Sequence, residues 1–272
     1  MCVLKIIDSH IHFCTTEEYF NRIAKVSGHE NTTKGLRAAF DAAHVEQAVI
    51  MGNRELDIEN YQFPDWLSYC VGLDGTYLRR NRLENAAEMV EVHLDRDSCV
   101  GIKLYPGYSD IPVTDEAYEV YYELSERFNK PVAIHTGATS SDRALLKYSH
   151  PLVLDELAVR HPKVNFVMCH LGNPWLVDAA AVLEKNSNVA ADLSGMLVGR
   201  TDLECYFEEN KGYIDQLKTW LIYADAWDRV MYGTDWPLAN IDEYIGFVRH
   251  FVPQKHWEKV FYDNAKRIYG LK

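Results

Sequence analysis

Short continuous apolar runs alternate with amphipathic stretches along nearly the whole chain. The runs at 3–8, 47–51, 67–72, 99–105, 132–135, 164–168, 189–193 and 230–232 are rich in Val, Ile, Leu and Ala, the pattern of strands covered on both faces. Between them lie segments with helical periodicity at 33–44, 83–94, 114–128, 152–160, 213–223, 241–251 and 256–268; in the second, Leu83, Ala86, Ala87, Val90 and Leu94 share one face. Gly52-Asn53 and Pro106-Gly107 punctuate the second and fourth runs, and the segment directly after the first run reads as a polar loop. Thr114 is the expected N-cap of the helix to Phe128, with Asp115 and Glu116 at its positive end, and Asn173-Pro174 reads as a cap followed by proline in the first turn. Eight strand and helix units predict an α/β fold, a (β/α)8 TIM barrel with an eight-stranded parallel sheet. An open doubly wound sheet is the alternative, although no GxGxxG or GxxxxGK[ST] turn is present to bind a nucleotide.

A length of 272 residues suits one such barrel, and no Pro, Gly or Ser-rich linker or abrupt charge shift marks a boundary, so residues 1–272 are expected to form a single domain. The 40 acidic residues exceed the 28 basic ones, for a formal charge of −12, which disfavours nucleic acid and anionic membranes as partners. No signal-like N-terminus and no apolar run of bilayer length is found, so a cytoplasmic, membrane-free protein acting on a small molecule is expected. The cysteines at 2, 14, 70, 99, 169 and 205 form no CxxC pair and read as free thiols, most of them buried.

The chemistry gathers at strand ends. Asp8-Ser9-His10-Ile11-His12 directly follows the first run, and strand alternation sends both imidazoles to one side, an arrangement suited to a transition metal. Two surface histidines in chance alternation are the plain alternative. Lys103, His135 and His170 end later runs, roughly one strand and helix apart, and Asp235 follows the last run. In a barrel all six would meet at the carboxyl rim. Against this, His170 could be a core histidine satisfied by carbonyls, and Asp235 could only cap the Thr-Asp-Trp-Pro turn. Tyr105, Tyr108, Arg143, Trp175, Arg200 and Trp236 fall in rim loops and are candidate cavity residues, while His29, His44, His93, His150, His161, His250 and His256 read as packing or surface residues.

Taken together, Ile7-Asp8-Ser9-His10-Ile11-His12, Gly101-Ile102-Lys103-Leu104, Ile134-His135-Thr136-Gly137, Cys169-His170-Leu171-Gly172, Gly233-Thr234-Asp235-Trp236-Pro237 and the closing segment 264–271 resemble the metal-dependent amidohydrolase superfamily. The likeness covers essentially the whole chain and is strongest to the amidohydrolase family 2 branch, which includes decarboxylases related to aminocarboxymuconate semialdehyde decarboxylase. The resemblance implies that His10, His12, His135 and Asp235 ligate one divalent ion, zinc being expected, with an open position for water whose pKa the ion lowers. It further implies that Asp235 handles the proton of that water and that His170 acts as acid or polarises the substrate. Lys103 has two readings: an ammonium that binds a substrate carboxylate, which is preferred, or the carboxylated lysine of a two-metal site completed by His135 and His170.

Hydrolysis of an amide, lactone or ester in a small, carboxylated substrate is the leading function. Nonoxidative decarboxylation of a carboxylated aromatic or enoate acid is the alternative. A phosphoesterase or nuclease is weaker, given the acidic charge and Lys103 where the metal-dependent DNase branch keeps a glutamate. A noncatalytic metal-binding scaffold would show a closed coordination shell. Related barrels often pair, so a homodimer is possible.

Overall fold

Strands apolar on both faces are stable only when helices cover one face and the sheet closes over the other, and the chain does this. The computed structural model describes residues 4–74, 80–109 and 111–272. Its strands are β1 (Ile6–Ile11), β2 (Val45–Met51), β3 (Leu67–Leu73), β4 (Cys99–Leu104), β5 (Val132–Ile134), β6 (Phe166–Met168), β7 (Val189–Asp192) and β8 (Val230–Met231). They pair in sequence order, every pair parallel. Backbone bonds from Ser9 N–H to Tyr232 O (3.0 Å), His12 N–H to Trp236 O (2.7 Å) and Asp235 N–H to His10 O (2.8 Å) join the last strand to the first. The fold is therefore the (β/α)8 barrel, not the open sheet.

Two apolar layers result. Ile7, Val49, Met51, Cys70, Val100, Ala133, Val167, Cys169, Ala190 and Met231 fill the barrel, and Ala265, Tyr269 and Leu271 of the C-terminal segment pack with them. The outer layer lies between the strands and the helices α1 (Glu18–Val26), α2 (Thr33–Ala43), α3 (Arg80–Asn85), α4 (Ala87–Leu94), α5 (Glu119–Phe128), α6 (Leu152–Arg160), α7 (Leu176–Lys185), α8 (Leu203–Glu209), α9 (Lys211–Ala224), α10 (Ile241–Phe251) and α11 (Asn264–Ile268). Among the described residues no helix is long and apolar enough to cross a membrane.

Several local expectations are corrected. The first strand runs to Ile11, so His10 lies inside it; the run's start at Val3, like Cys2, lies outside the described residues. The expected polar loop contains α1, and α8 was not anticipated; Asp202 caps it by accepting from Glu204 and Cys205 N–H. Asp115, not Thr114, caps the next segment, accepting from Ala117 N–H ahead of a 3-10 turn that leads into α5. Asn173 caps nothing: its carbonyl accepts from Ala138 N–H, and α7 begins at Leu176. The segment 83–94 divides at Ala86 into α3 and α4. The segment 256–268 departs from regular helix through a π turn at Lys259–Asp263, because Val260 O accepts from Tyr232 N–H and Asn264 Nδ2 donates to Trp227 O and Val230 O, pinning it to β8. Gly52 and Gly72 let the tops of β2 and β3 meet closely: a Cβ on Gly72 would lie 1.6 Å from Gly52 O.

Candidate metal centre

Ile7 faces the barrel interior and Ile11 the outer layer, although four residues apart on a regular strand would share a face. The register of β1 shifts between Asp8 and Ile11, which accounts for the reversal and turns His10 inward. Asp8 anchors this irregular stretch. Its fully buried carboxyl accepts from Thr234 N–H (3.0 Å), Thr234 Oγ1–H (2.6 Å) and His10 N–H (3.2 Å), tying β1 to the turn after β8. Burial pushes the Asp8 carboxyl up to about 7 despite these donors. Asp235 adopts the left-handed region, with φ of 63°, and so faces the two imidazoles.

His12 Nε2 lies 3.3 Å and His10 Nε2 3.5 Å from the same atom, Asp235 Oδ1. Ligands about 2.1 Å from a shared tetrahedral ion stand about 3.4 Å from one another, so the spacing fits a common cation. The far ring nitrogens set the tautomers. His12 Nδ1 donates to Met51 O (3.1 Å) and His10 Nδ1 to Asp192 Oδ2 (2.9 Å), leaving both Nε2 lone pairs toward Asp235. His10 Nε2 and Asp235 Oδ1 are buried and have no hydrogen-bond partner among the described residues, and together with their convergence this suits a pair of metal ligands. Burial lowers the His10 imidazole to about 3, outweighing the opposing pull of Asp192.

Of the four ligands expected, the structure brings three together: His10, His12 and Asp235. His135 lines the same cavity but lies outside that cluster; its Nε2 is bonded to Ala138 O at 3.1 Å and its ring stands 4.9 Å from that of His170. The His170 ring is 4.8 Å from that of His10, and its Nδ1 is 2.9 Å from Ser194 Oγ. Burial pushes both His135 and His170 below the usual imidazole value, so both are neutral. Lys103 is fully buried, donates to Cys169 Sγ at 2.9 Å and is not part of the cavity surface.

A second cluster, His10, Cys169 and Asp192, lies beneath. Asp192 is already engaged: Oδ1 accepts from His170 N–H (2.9 Å), Ser194 N–H (3.1 Å) and Ser194 Oγ–H, and Oδ2 from His10. Burial raises the Cys169 thiol well above its usual value, so no thiolate is available. This cluster supports the histidines above it. Sequence reasoning missed Asp192, Asp8 and Asp74; Asp192 closes a strand as Asp235 follows one, which was the available signal.

The cavity has a volume of about 710 Å³ and opens at the carboxyl ends of the strands. Tyr105 and Tyr108 line it as expected, while the remaining rim residues serve elsewhere. Trp236 is fully buried with its ring 4.4 Å from that of His29, Trp175 packs on His150, Arg200 pairs with Glu243, and Arg143 does not reach the cavity surface. Asp74, directly after β3, does line it, its carboxyl raised to about 6 by burial.

The family model described as amidohydrolase matches residues 7–271. The chain belongs to this amidohydrolase family. Protein fluG of Emericella nidulans is 28% identical over 145 residues, 52% of this chain; the match spans only 14% of that protein's length. Among solved structures, 2,6-dihydroxybenzoate decarboxylase from Rhizobium superposes with a TM-score of 0.69 at 15% identity, covering 99% of both chains. An amidohydrolase from Burkholderia multivorans with bound zinc gives 0.68 at 16% identity, covering 98% of this chain and 100% of the other. At these identities the likeness concerns the fold.

Proposed function

We propose that this amidohydrolase is a metal-dependent hydrolase that adds water to an amide, lactone or ester carbonyl of a small molecule. The observation that carries the reading is the convergence of His10 Nε2 and His12 Nε2 on Asp235 Oδ1, buried and otherwise unpartnered, at the wall of a large cavity. His10, His12 and Asp235 would hold the divalent ion, with His135 within reach of the same space. When bound, the ion supplies Lewis acidity and an acidified water.

The remaining roles belong to side chains. Asp235 Oδ2 faces the His170 ring across Gly195, where a Cβ would lie 3.2 Å from the carboxylate and 2.7 Å from His170 Nδ1. An ionised Asp235 can take a proton there, and a neutral His170, held by Ser194, can relay it to the leaving group. Asp192 keeps the His10 ring oriented, and the apolar surfaces of Phe20, Ile23 and Val198 limit water around the substrate.

Decarboxylation is the second reading, favoured by the aromatic wall of Tyr19, Phe20, Tyr105 and Tyr108, which suits a planar ring. Hydrolysis stands ahead because Asp235 and His170 lie together at the ligand cluster, where water addition needs a proton acceptor and a relay. Zinc- and manganese-loaded protein should be assayed against N-acyl amines, lactones and esters beside hydroxybenzoates. We expect hydrolysis that EDTA abolishes and that Asp235→Asn lowers by about a thousandfold or more. Release of carbon dioxide from a hydroxybenzoate without any hydrolysis would replace this reading by the lyase.

A further inference from the structure

The cavity surface carries an acid that pairs with no Lys or Arg among the described residues. Asp74 follows β3 directly and lies on the same wall as Asn53 and Tyr105, at the ends of β2 and β4. It is outside the three-residue ligand cluster, and His12 and Glu55 are among the groups nearest to it. Among the described residues no Lys or Arg pairs with it, and Lys103 Nζ donates to Cys169 Sγ and lies 5.2 Å from the Tyr105 ring centroid. We propose that Asp74 is a specificity residue that selects substrates bearing an ammonium or amidinium group.

Three features of the molecule agree. A partly buried carboxylate in a cavity whose wall also carries Tyr19, Tyr105 and Tyr108 suits an organic cation, which gains a charge-assisted hydrogen bond and aromatic surface. A substrate carboxylate placed away from the ion would instead meet Asp74 as a like charge. The formal charge of −12 draws small cations toward the chain. The proposal rests on the hydrolase reading for the bond that reacts, which makes an amide or ester with a basic group the substrate class.

The test separates binding from turnover. Zinc-loaded wild type, Asp74→Asn and Asp74→Glu are titrated with 2-phenylethylammonium and its neutral isostere 2-phenylethanol at pH 7.5, with metal content and melting temperature measured for each protein. Wild type should prefer the ammonium by about tenfold or more, the effect of one charge-assisted hydrogen bond. Asp74→Asn should lose the preference with unchanged affinity for the alcohol and unchanged metal content, and Asp74→Glu should keep part of it. Equal binding of the two probes by wild type overturns the proposal. So does a preference that survives Asp74→Asn, since an amine seated on the ion would behave that way. If the preference follows Asp74 and no basic amide or ester is cleaved, this inference stands and the hydrolase reading fails.

Discussion

Replacing Asp192 by Asn tests whether the metal centre depends on the tautomer of His10. In the native chain, three donors converge on Asp192 Oδ1: His170 N–H at 2.9 Å, Ser194 N–H at 3.1 Å and the Ser194 hydroxyl. The amide oxygen of the introduced side chain must occupy that position, because an NH₂ there would face three donors. The NH₂ group then replaces Oδ2 and points at His10 Nδ1, 2.9 Å away, where it can only donate. His10 is forced to accept at Nδ1 and to carry its proton on Nε2, aimed at Asp235 Oδ1 3.5 Å away. An incoming ion must displace that proton and restore the clash. Loss of such an orienting partner costs about 10–100-fold in metal affinity, or about 1.4–2.7 kcal/mol, and the reversed donor places this variant toward the upper end. Zinc affinity is measured by competition with a chromophoric chelator at pH 7.5, and the metal-free melting temperature serves as control. An affinity within about twofold of wild type, with the fold intact, would refute the tautomer argument.

Two further changes probe the surroundings. Gly195→Ala places a Cβ 2.7 Å from His170 Nδ1 and 3.2 Å from Asp235 Oδ2 at a backbone φ of +70°, so His170 must shift; kcat/KM should fall about a hundredfold with metal content retained, and full activity would remove His170 from the mechanism. His29 accepts a hydrogen bond from Ile241 N–H at Nε2 and lies against Trp236, and burial lowers its imidazole to about 4. The folded chain therefore binds fewer protons here than the unfolded chain between about pH 4 and 6.5, so this stability is complete above that window and is lost as pH falls through it. Urea unfolding at pH 7 and 4.5 should show a smaller acid loss in His29→Gln than in wild type, and equal losses would refute the assignment.

What was readable in the sequence follows from which physics is local. The eight apolar runs predict the barrel because burial on both faces demands continuous hydrophobicity, and α6 and α10 end where their periodicity ends. Helix α1 escaped because only Ala24 in it is fully buried; Phe20 and Ile23 spend their apolar surface on the cavity instead of the core. The HxH pair was legible, but its inward turn depends on the register shift after Asp8, which β2 pairing and Thr234 impose from more than thirty residues away. The roles of the strand-end polar residues were the least readable. Asp192, Asp235 and Lys103 all end or follow apolar runs, yet one orients a histidine, one converges with the imidazoles and one is buried against Cys169. Position along a strand sets only the height of a side chain in the barrel. Whether it then meets an imidazole, an open cavity or a thiol is decided by which side chains reach that height from elsewhere in the barrel: Ser194 and His10 for Asp192, His12 for Asp235, and Cys169 for Lys103. A strand-end acid therefore acquires a function only through barrel closure, which is why Asp74 can be argued as a substrate contact from the folded chain and not from its place after an apolar run.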